Sequence, residues 1–251
     1  MKYKILFFFL LISSVVFSQN EKLDKTKTEN IQKVIKLFQT KNIDGITKIV
    51  NYPLRREYPI PDVKNEADFK KRFNQIFDAK IINKISNSKI EQWSDVGWRG
   101  IMLDNGDLWI DTDGRITALN YQSPFETNQK NTIIVNEKKN LYSTLRQYKS
   151  PVYKITTKSY LIRIDELGNG KYRYASWKSG KKESTKPDLI LTNGEIRMEG
   201  SGGNHTITFK KGEFSYIIYR GIIGEKDAPE IDLTVEQNNK VILQQDGKLI
   251  Q

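Results

Sequence analysis

The chain has a single histidine, His205, which ends the glycine-rich stretch GSGGNH. A histidine acts as a general base only beside a nucleophile and an orienting acid. Ser201 precedes His205 by four residues in the same turn, and the chain has no G-x-S-x-G nucleophile motif. No catalytic residue is therefore predicted. This stretch could instead form a protruding loop that offers backbone amides and side chains to a ligand. The candidate ligand-binding residues are Ser201, Gly202, Gly203, Asn204 and His205.

Metal chemistry has few candidate ligands in this sequence. One histidine without any cysteine is a poor zinc set. The segment DNGDLWIDTDG holds Asp104, Asp107, Asp111 and Asp113 in a superficially calcium-loop-like order. An EF-hand requires oxygen ligands at alternate positions and a closing glutamate, whereas residues 108–110 are apolar here. We interpret these aspartates as turn residues and predict neither a metal nor a cofactor.

Aromatic residues interleaved with cations form a second candidate surface. KYRYASWKSGKK contains Tyr172, Tyr174 and Trp177 with Arg173 and Lys178 among them, a composition suited to stacking on sugars. In a strand, the two tyrosines share one face and Trp177 lies on the other. The wall of a β-barrel shows the same alternation, so both interpretations remain open.

Three further residues are pocket candidates in the first half of the chain. Arg55, in the proline-rich segment YPLRREYPIP, has the chemistry to clamp a carboxylate or sulfate. The same Arg-Arg-Glu run also fits a charged edge strand. Trp98 and Trp109 fall on alternating segments, where they line either a ligand pocket or the core.

The elements that position the first-half candidates are helices followed by a β-meander. Apolar residues recur at helical spacing over residues 31–38 and 66–77, and Asn65 is a predicted N-cap. From Trp93 the period becomes two, with DNG and TDG as hairpin turns. Residues 27–122 are therefore predicted to form an α+β domain, with helices on a curved antiparallel sheet.

The second half reads as β-structure throughout. About eight short alternating segments follow Pro151, separated by turns such as GNG, TNG and SGG. Residues 151–251 are predicted to form a small antiparallel β-barrel. Residues 123–150 are predicted to be a linker or transition, in which TIIVN is interpreted as a strand before a short helix.

The beginning of the chain has the three-part pattern of a secretory signal peptide. MKYKILFFFLLISSVVFS, residues 1–18, has a basic start, an apolar run and small residues before Gln19. We expect cleavage there, a flexible start over residues 19–26, secretion, most simply to the periplasm, and no membrane span in the mature chain. The net charge of +11 suits acidic glycans, anionic envelope surfaces or nucleic acid. Export removes nucleic acid from the expected partners.

Two resemblances follow from these segments. The order IQKVIKLFQTKNIDGITKIV, YPLRR, DFKKRFNQIFDAKI and then the GWRGIMLDNGDLWIDTDGRITALNYQ meander resembles the NTF2-like (cystatin-like) fold over residues 27–122. That resemblance implies a pocket between helices and sheet, used by enzymes and binding modules alike. The second half is similar in size and strand count to bacterial periplasmic lysozyme-inhibitor barrels, which present an SGxxY loop. Here the stretch is SGGNH, with His205 where that family has tyrosine.

Together these features predict an exported bacterial protein that binds without catalysis. The expected partner is an envelope glycan or another exported protein, and the barrel loops are the expected contact surface. One alternative is a small-molecule enzyme that uses the pocket of the α+β domain. A further alternative is a protein that resembles the lysozyme inhibitors.

Overall fold

The computed structural model describes residues 23–224 and 227–250. The predicted signal peptide and residues 19–22 of the predicted flexible start lie outside these ranges. The described chain forms an α+β half, with helices and a four-stranded antiparallel sheet, followed by a closed eight-stranded antiparallel barrel. This confirms the fold class predicted from the sequence.

The described residues of the first half form helices and short strands, followed by a longer helix that leads into the barrel. In chain order they are α1 (Lys25–Gln39), α2 (Ile43–Lys48), α3 (Glu66–Ile76), α4 (Ala79–Ser86), β1 (Trp93–Asp95), β2 (Ile101–Leu103), β3 (Leu108–Ile110), β4 (Ile116–Leu119) and α5 (Pro124–Asn140). The barrel strands are β5 (Ser150–Thr157), β6 (Tyr160–Glu166), β7 (Tyr172–Lys178), β8 (Leu189–Met198), β9 (His205–Lys211), β10 (Phe214–Arg220), β11 (Ile231–Gln237) and β12 (Lys240–Leu249). Within the described ranges, no helix combines the length and the apolar character needed to cross a membrane.

Side-chain caps determine where three helices begin. Asp24, Asn65 and Asp78 each precede a helix and accept a hydrogen bond from an amide in its first turn. The predicted N-cap at Asn65 is therefore confirmed. Because Asp24 starts α1 at Lys25, residues 25–26 of the predicted flexible start are helical.

Phenylalanine rings fill the space between the helices of the first half. Phe38 of α1, Phe69 and Phe73 of α3, and Phe77 directly after α3 lie with ring centroids 5.3 to 5.9 Å apart. All four side chains are buried. Tilted, edge-on and offset stacked contacts are the arrangements that aromatic quadrupoles favour. This region is therefore a packed core.

The sheet of the first half is a meander of four antiparallel strands in the order β1-β2-β3-β4. Its inner face is apolar, because Ile101, Leu103, Leu108 and Ile110 are fully buried. The predicted DNG and TDG turns join β2 to β3 and β3 to β4. Gly106 supplies the positive φ of the first of these turns.

The barrel closes by pairing its strands in the order β10-β11-β12-β5-β6-β7-β8-β9, with β9 returning to β10. Alternate residues of each strand point inward and form one apolar cluster. Its buried members are Ile155, Ile162, Ile164, Tyr174, Leu191, Ile207, Phe209, Ile218, Ile231, Leu233 and Val235. The interior is thus filled by side chains, as expected for a barrel of eight strands.

Helix α5 occupies the segment predicted to be a linker or transition. The prediction of a strand at TIIVN, residues 132–136, is wrong, because these residues lie inside α5. The helix begins with a capping box in which Ser123 Oγ accepts from Glu126 N at 3.1 Å, and Pro124 takes the first position. This local start signal outweighs the β-propensity of the Ile-Ile-Val run.

Glu126 also fastens α5 to the first half. Its carboxylate accepts from Arg56 Nε at 2.8 Å and Nη2 at 2.5 Å, and both side chains are buried. Arg56 additionally donates to the carbonyl oxygens of Leu119 and Tyr121. The bidentate pair holds the helix start beside the end of β4.

A buried ionic cluster joins the segment after α5 to the outer face of the barrel. Asp165 of β6 lies 2.8 Å from Nε of Arg163 and 2.6 Å from Nη2 of Arg173. The ring of Tyr148 packs against both guanidinium groups. Trp177 of β7 belongs to the adjoining apolar layer and has no exposed surface. This face of the barrel is therefore covered by the chain itself.

Candidate functional site

A cleft of about 900 Å³ lies between the two halves. One wall is the segment 55–58 with Thr117 and Ala118 of β4. The other wall is the end of the barrel where β5, β7 and β11 begin and β6, β10 and β12 end. The lining includes side chains capable of hydrogen bonding or ring contact, namely Arg55, Glu57, Tyr153, Glu166, Tyr172, Tyr219, Arg220 and Glu230.

His205 does not itself line the cleft, but it forms a hydrogen bond with Tyr153, which does. Its Nε2 lies 2.7 Å from the Tyr153 hydroxyl, and its Nδ1 lies 2.8 Å from the carbonyl oxygen of Gly203. Because a carbonyl only accepts, Nδ1 donates to Gly203, and in the tautomer with its proton on Nδ1 the Nε2 atom accepts a hydrogen bond from the Tyr153 hydroxyl. Both ring nitrogens are thus engaged, and His205 as a residue is 8% exposed. The histidine positions a tyrosine.

Three of the cleft tyrosines are neutral hydrogen-bonding groups. Burial raises the pKa of Tyr153 to about 12. Burial also raises the pKa values of Tyr58 and Tyr172 above the ordinary tyrosine value. At physiological pH these hydroxyls therefore stay protonated, so each can donate and accept a hydrogen bond.

Glu230 carries the direct ionic contact across the cleft. Its Oε1 lies 2.5 Å from Nη2 of Arg55 and 3.0 Å from Nη2 of Arg220. Arg55 also pairs with Asp62 at 2.9 Å, while half of its side chain stays exposed. Arg55, a predicted pocket residue, thus lines the cleft and connects its two walls. The alternative interpretation of this run as a charged edge strand is wrong, because residues 55–57 lie outside the strands.

The remaining cleft carboxylates have lysine partners. Glu57 lies 2.5 Å from Nζ of Lys130 and Glu166 lies 2.9 Å from Nζ of Lys149. The hydrogen bond from Lys149, aided by one from Ser150, lowers the pKa of Glu166 below its ordinary value. A general acid needs a raised pKa at neutral pH. Glu166 is therefore an ionised acceptor.

The predicted binding loop, residues 200–205, is held by contacts to two neighbouring segments. Asn204 Oδ1 accepts from the amides of Ile222 and Ile223 at 2.8 and 2.9 Å. Its Nδ2 donates to the carbonyl oxygen of Ile223 at 2.7 Å. Arg99 Nη1 donates to the carbonyl oxygen of Ser201 at 3.4 Å. These hydrogen bonds hold the loop against Ile222 and Ile223 in the wall of the cleft and against Arg99 of the first half.

Trp98 lies against the same loop. A Cβ placed on Gly202 would meet Cη2 of Trp98 at 3.5 Å and Cδ1 of Ile223 at 3.0 Å, so glycine permits this close approach. Trp98 is 70% exposed, and Ile222 and Ile223 are also exposed. The structure therefore joins Trp98 to the loop residues 201–205, which the sequence presented as separate candidates.

The other predicted site residues are divided between the cleft and the interior. Tyr172 lines the cleft. Tyr174 is buried inside the barrel, and Trp177 is buried on the outer face, where Nε1 donates to a backbone carbonyl. Trp109 lies over its own hairpin, 2.8 Å from a Cβ built on Gly106. Tyr174, Trp177 and Trp109 are thus not brought to the cleft.

The acidic segment of the first half is occupied by lysine and backbone contacts. Asp104 and Asp107 both bind Lys84 of α4. Asp111 accepts from the amides of Asp113 and Arg115 within its turn. Over residues 23–224 and 227–250, no group of three or more histidine and acidic side chains is arranged to hold a metal ion.

Sequence reasoning missed Tyr153, Tyr219, Arg220 and Glu230. These residues lie at or near strand ends and face one end of the barrel. The sequence does carry one signal for these residues. In an antiparallel barrel, alternate strands start at the same end of the barrel, so residues at those starts lie close together. Applying it requires strand boundaries accurate to about one residue, whereas sequence patterns leave a larger error.

Known proteins contribute no template for this site. No protein-family model matches the chain, no curated protein matches it, and no solved structure matches it. The geometry of the cleft therefore carries the functional argument.

Proposed function

We propose that this protein is a non-catalytic binding module that holds a glycan in the cleft between its two halves. The supporting observation is the lining of that cleft, in which tyrosines stand beside ion-paired arginine and glutamate side chains. A sugar ring offers an apolar face to an aromatic ring and hydroxyl groups to charged acceptors and donors. The cleft supplies both kinds of partner.

The size and composition of the cleft suit a ligand of oligosaccharide scale. Its volume of about 900 Å³ falls within the range of roughly 300–1,000 Å³ common for small-ligand sites. Tyr219 and Tyr172 offer ring surface, and Arg55 offers a half-exposed guanidinium group. Tyrosine gives large contact area at small entropic cost, because it has only two side-chain torsions.

The proposal of binding without catalysis rests on how the polar groups are engaged. His205 uses both ring nitrogens to hold Tyr153 and Gly203. The pKa of Glu166 is lowered, whereas glycoside hydrolysis needs one carboxyl group with a raised pKa. Glu57 and Glu230 are bound to cations. These groups are arranged to fix the shape of the cleft and to receive hydrogen bonds.

Neither of the two family resemblances supplies the ligand site of this proposal. An NTF2-like domain would hold its ligand between helices and sheet, whereas Phe69, Phe73 and Phe77 here belong to one buried apolar cluster with the residues of the sheet. An inhibitor loop would need free side chains, whereas Asn204 and His205 bond within the chain. The pattern of residues 1–18 supports export, and export makes an envelope glycan the ligand we favour.

A binding screen that also monitors the ligand tests this proposal. Purified protein would be titrated against peptidoglycan fragments and against acidic and neutral polysaccharides, followed by mass spectrometry of each glycan after prolonged incubation. We expect saturable binding to one class with an unchanged glycan mass. A shortened or modified glycan would establish an enzyme instead. Binding to exported proteins without binding to any glycan would support the protein-partner alternative.

A further inference from the structure

The charged side chains that line the cleft are equal in number and opposite in sign. Among residues 23–224 and 227–250, the lining contains three arginines and three glutamates, namely Arg55, Arg56, Arg220, Glu57, Glu166 and Glu230. The whole chain, in contrast, has 41 lysines and arginines against 30 acidic residues. The described lining therefore does not share the positive charge of the chain.

Each of these six side chains is held in an ion pair. Three of them pair with a residue that does not itself line the cleft, and these partners are Glu126, Lys130 and Lys149. Asp62 is a further partner of Arg55. The four partners comprise two acidic residues and two lysines. The charges of the site thus remain balanced when the partners are included.

Glu230 occupies the position at which an anionic ligand would meet the exposed arginine donors. Arginine binds a carboxylate or a sulfate through the N–H groups of its guanidinium. Arg55 and Arg220 both direct Nη2 to Oε1 of Glu230, at 2.5 and 3.0 Å. An acidic group on a ligand would have to displace Glu230 or lie beside it, and like charges at such distances repel. The shared carboxylate therefore discriminates against acidic ligands.

Hydroxyl groups, in contrast, can bind to these ion pairs without changing the charge of the site. A hydroxyl donates one hydrogen bond and accepts others, so it can contact either member of an ion pair. The side chains of Glu57 and Arg55 are 65% and 52% exposed, which leaves polar surface of both kinds open to a ligand. Tyr172 and Tyr219 also line the cleft. An uncharged sugar satisfies this lining.

We propose that the ligand of the cleft is an uncharged oligosaccharide and that the balanced ion pairs of the lining exclude acidic glycans. The uncharged ligand class narrows the proposed glycan-binding function and rests on it. The net charge of +11 alone would favour an acidic glycan. The cations that produce this surplus lie outside the lining, and exposed charges more than about 8 Å from a site are largely screened at physiological salt.

Calorimetric titration of the full mature chain with matched pairs of glycans tests this ligand class. The neutral probes are cellotetraose, mannotetraose and chitotetraose, and each is compared with its uronate counterpart, in which the primary alcohol of every sugar is a carboxylate. We expect the neutral member of a pair to bind at least about tenfold more tightly than the acidic member. Raising the salt concentration from about 50 to about 500 mM should change the neutral affinity by less than about twofold.

Glu230→Gln gives the site one unbalanced positive charge. The preference for the neutral member of a pair should therefore fall by about fivefold or more, and the affinity for the acidic member should depend on salt. The matched control is Glu195→Gln, which removes a carboxylate from an exposed pair with Lys171 outside the cleft. This control is expected to keep the wild-type preference. Circular dichroism melting curves verify that each variant folds.

The possible results separate the ligand class from the proposed function. An acidic probe that binds the wild type as tightly as its neutral counterpart would overturn the exclusion of acidic glycans and leave glycan binding intact. A Glu230→Gln variant that keeps the full wild-type preference would also overturn the exclusion. Absence of binding to any probe would overturn the ligand class, and the broader glycan screen then decides whether the proposed function falls with it.

Discussion

Arg55 Nη2 lies 2.5 Å from Glu230 Oε1, so one ion pair crosses the cleft between the α+β half and the barrel. The same oxygen of Glu230 accepts from Arg220 at the end of β10. Glu230, which follows Arg55 by 175 positions in the chain, therefore connects a segment before the meander with a strand of the barrel. This shared carboxylate is thus in ionic contact with both walls of the cleft.

Replacing Glu230 with glutamine is expected to weaken glycan binding more than it weakens folding. The pair is partly exposed, so its loss should change the free energy of unfolding by no more than about 1 kcal/mol. Arg55 would lose its anchor on the barrel, and we expect about fivefold weaker binding in calorimetric titration. Glu195→Gln, which removes an exposed pair with Lys171 outside the cleft, should leave affinity unchanged. Equal affinities for all three proteins would contradict the role of Glu230.

Asn204→Ala is expected to release the loop that follows β10. The amide group makes three hydrogen bonds to the backbone of Ile222 and Ile223. Hydrogen exchange of residues 221–224 should therefore accelerate, with a loss of about 1–2 kcal/mol in unfolding free energy. Asn204→Asp keeps the two acceptor contacts and should fall between wild type and alanine. Unchanged exchange in the alanine variant would refute this clamp.

Arg56 and Glu126 should behave as a strongly coupled buried pair. Arg56→Met leaves a buried carboxylate without its partner, and we expect a loss of about 3–5 kcal/mol in urea unfolding. The double variant Arg56→Met/Glu126→Met should recover a large part of that loss, because no unpaired charge remains. Lys130→Met, which removes the more exposed pair with Glu57, should cost less than about 1 kcal/mol. Additive losses in the double variant would contradict the coupling.

The Glu166–Lys149 pair predicts a defined pH dependence. The pKa of Glu166 is lower in the folded chain than its ordinary value of 4.5. Its stabilising contribution is therefore fully present above pH 4.5 and is lost as the pH falls through the folded pKa. The stability difference between wild type and Glu166→Gln should be constant from about pH 7 to pH 5, should not exceed about 1 kcal/mol, and should shrink below pH 4.5. A difference that grows on acidification would have the wrong sign.

Much of the fold follows from local patterns in the sequence. The Asp-Gly and Asn-Gly turns of the meander, the Asn65 cap and the period-two segments after Pro151 each depend on a few neighbouring residues. The sequence pattern fails at residues 132–136, where a β-branched run lies inside helix α5, which starts at a capping box. Recognising the Ser123–Glu126 box would have corrected the prediction.

The candidate site is harder to predict from the sequence than the fold is, because it depends on contacts between segments that are distant in the chain. Arg55 and Tyr172, which the sequence presents as separate candidates, both line the cleft. Their partners, Glu230 and Tyr153, carry no motif and become neighbours only when the barrel end meets the first half. Trp177 is the opposite case, because it belongs to a motif but does not reach the cleft. It lies in an aromatic and basic strand, and residues 141–148 bury it.

The most direct test of the glycan-binding account is the affinity of cleft tyrosine variants for the glycan that the screen identifies. Tyr219→Ala and Tyr172→Ala are to be compared by calorimetric titration with Tyr142→Ala, which truncates a tyrosine outside the cleft. Melting curves confirm that each variant is folded. The account predicts about tenfold or greater loss for the two cleft variants and none for Tyr142→Ala. Wild-type affinity in both cleft variants would contradict it.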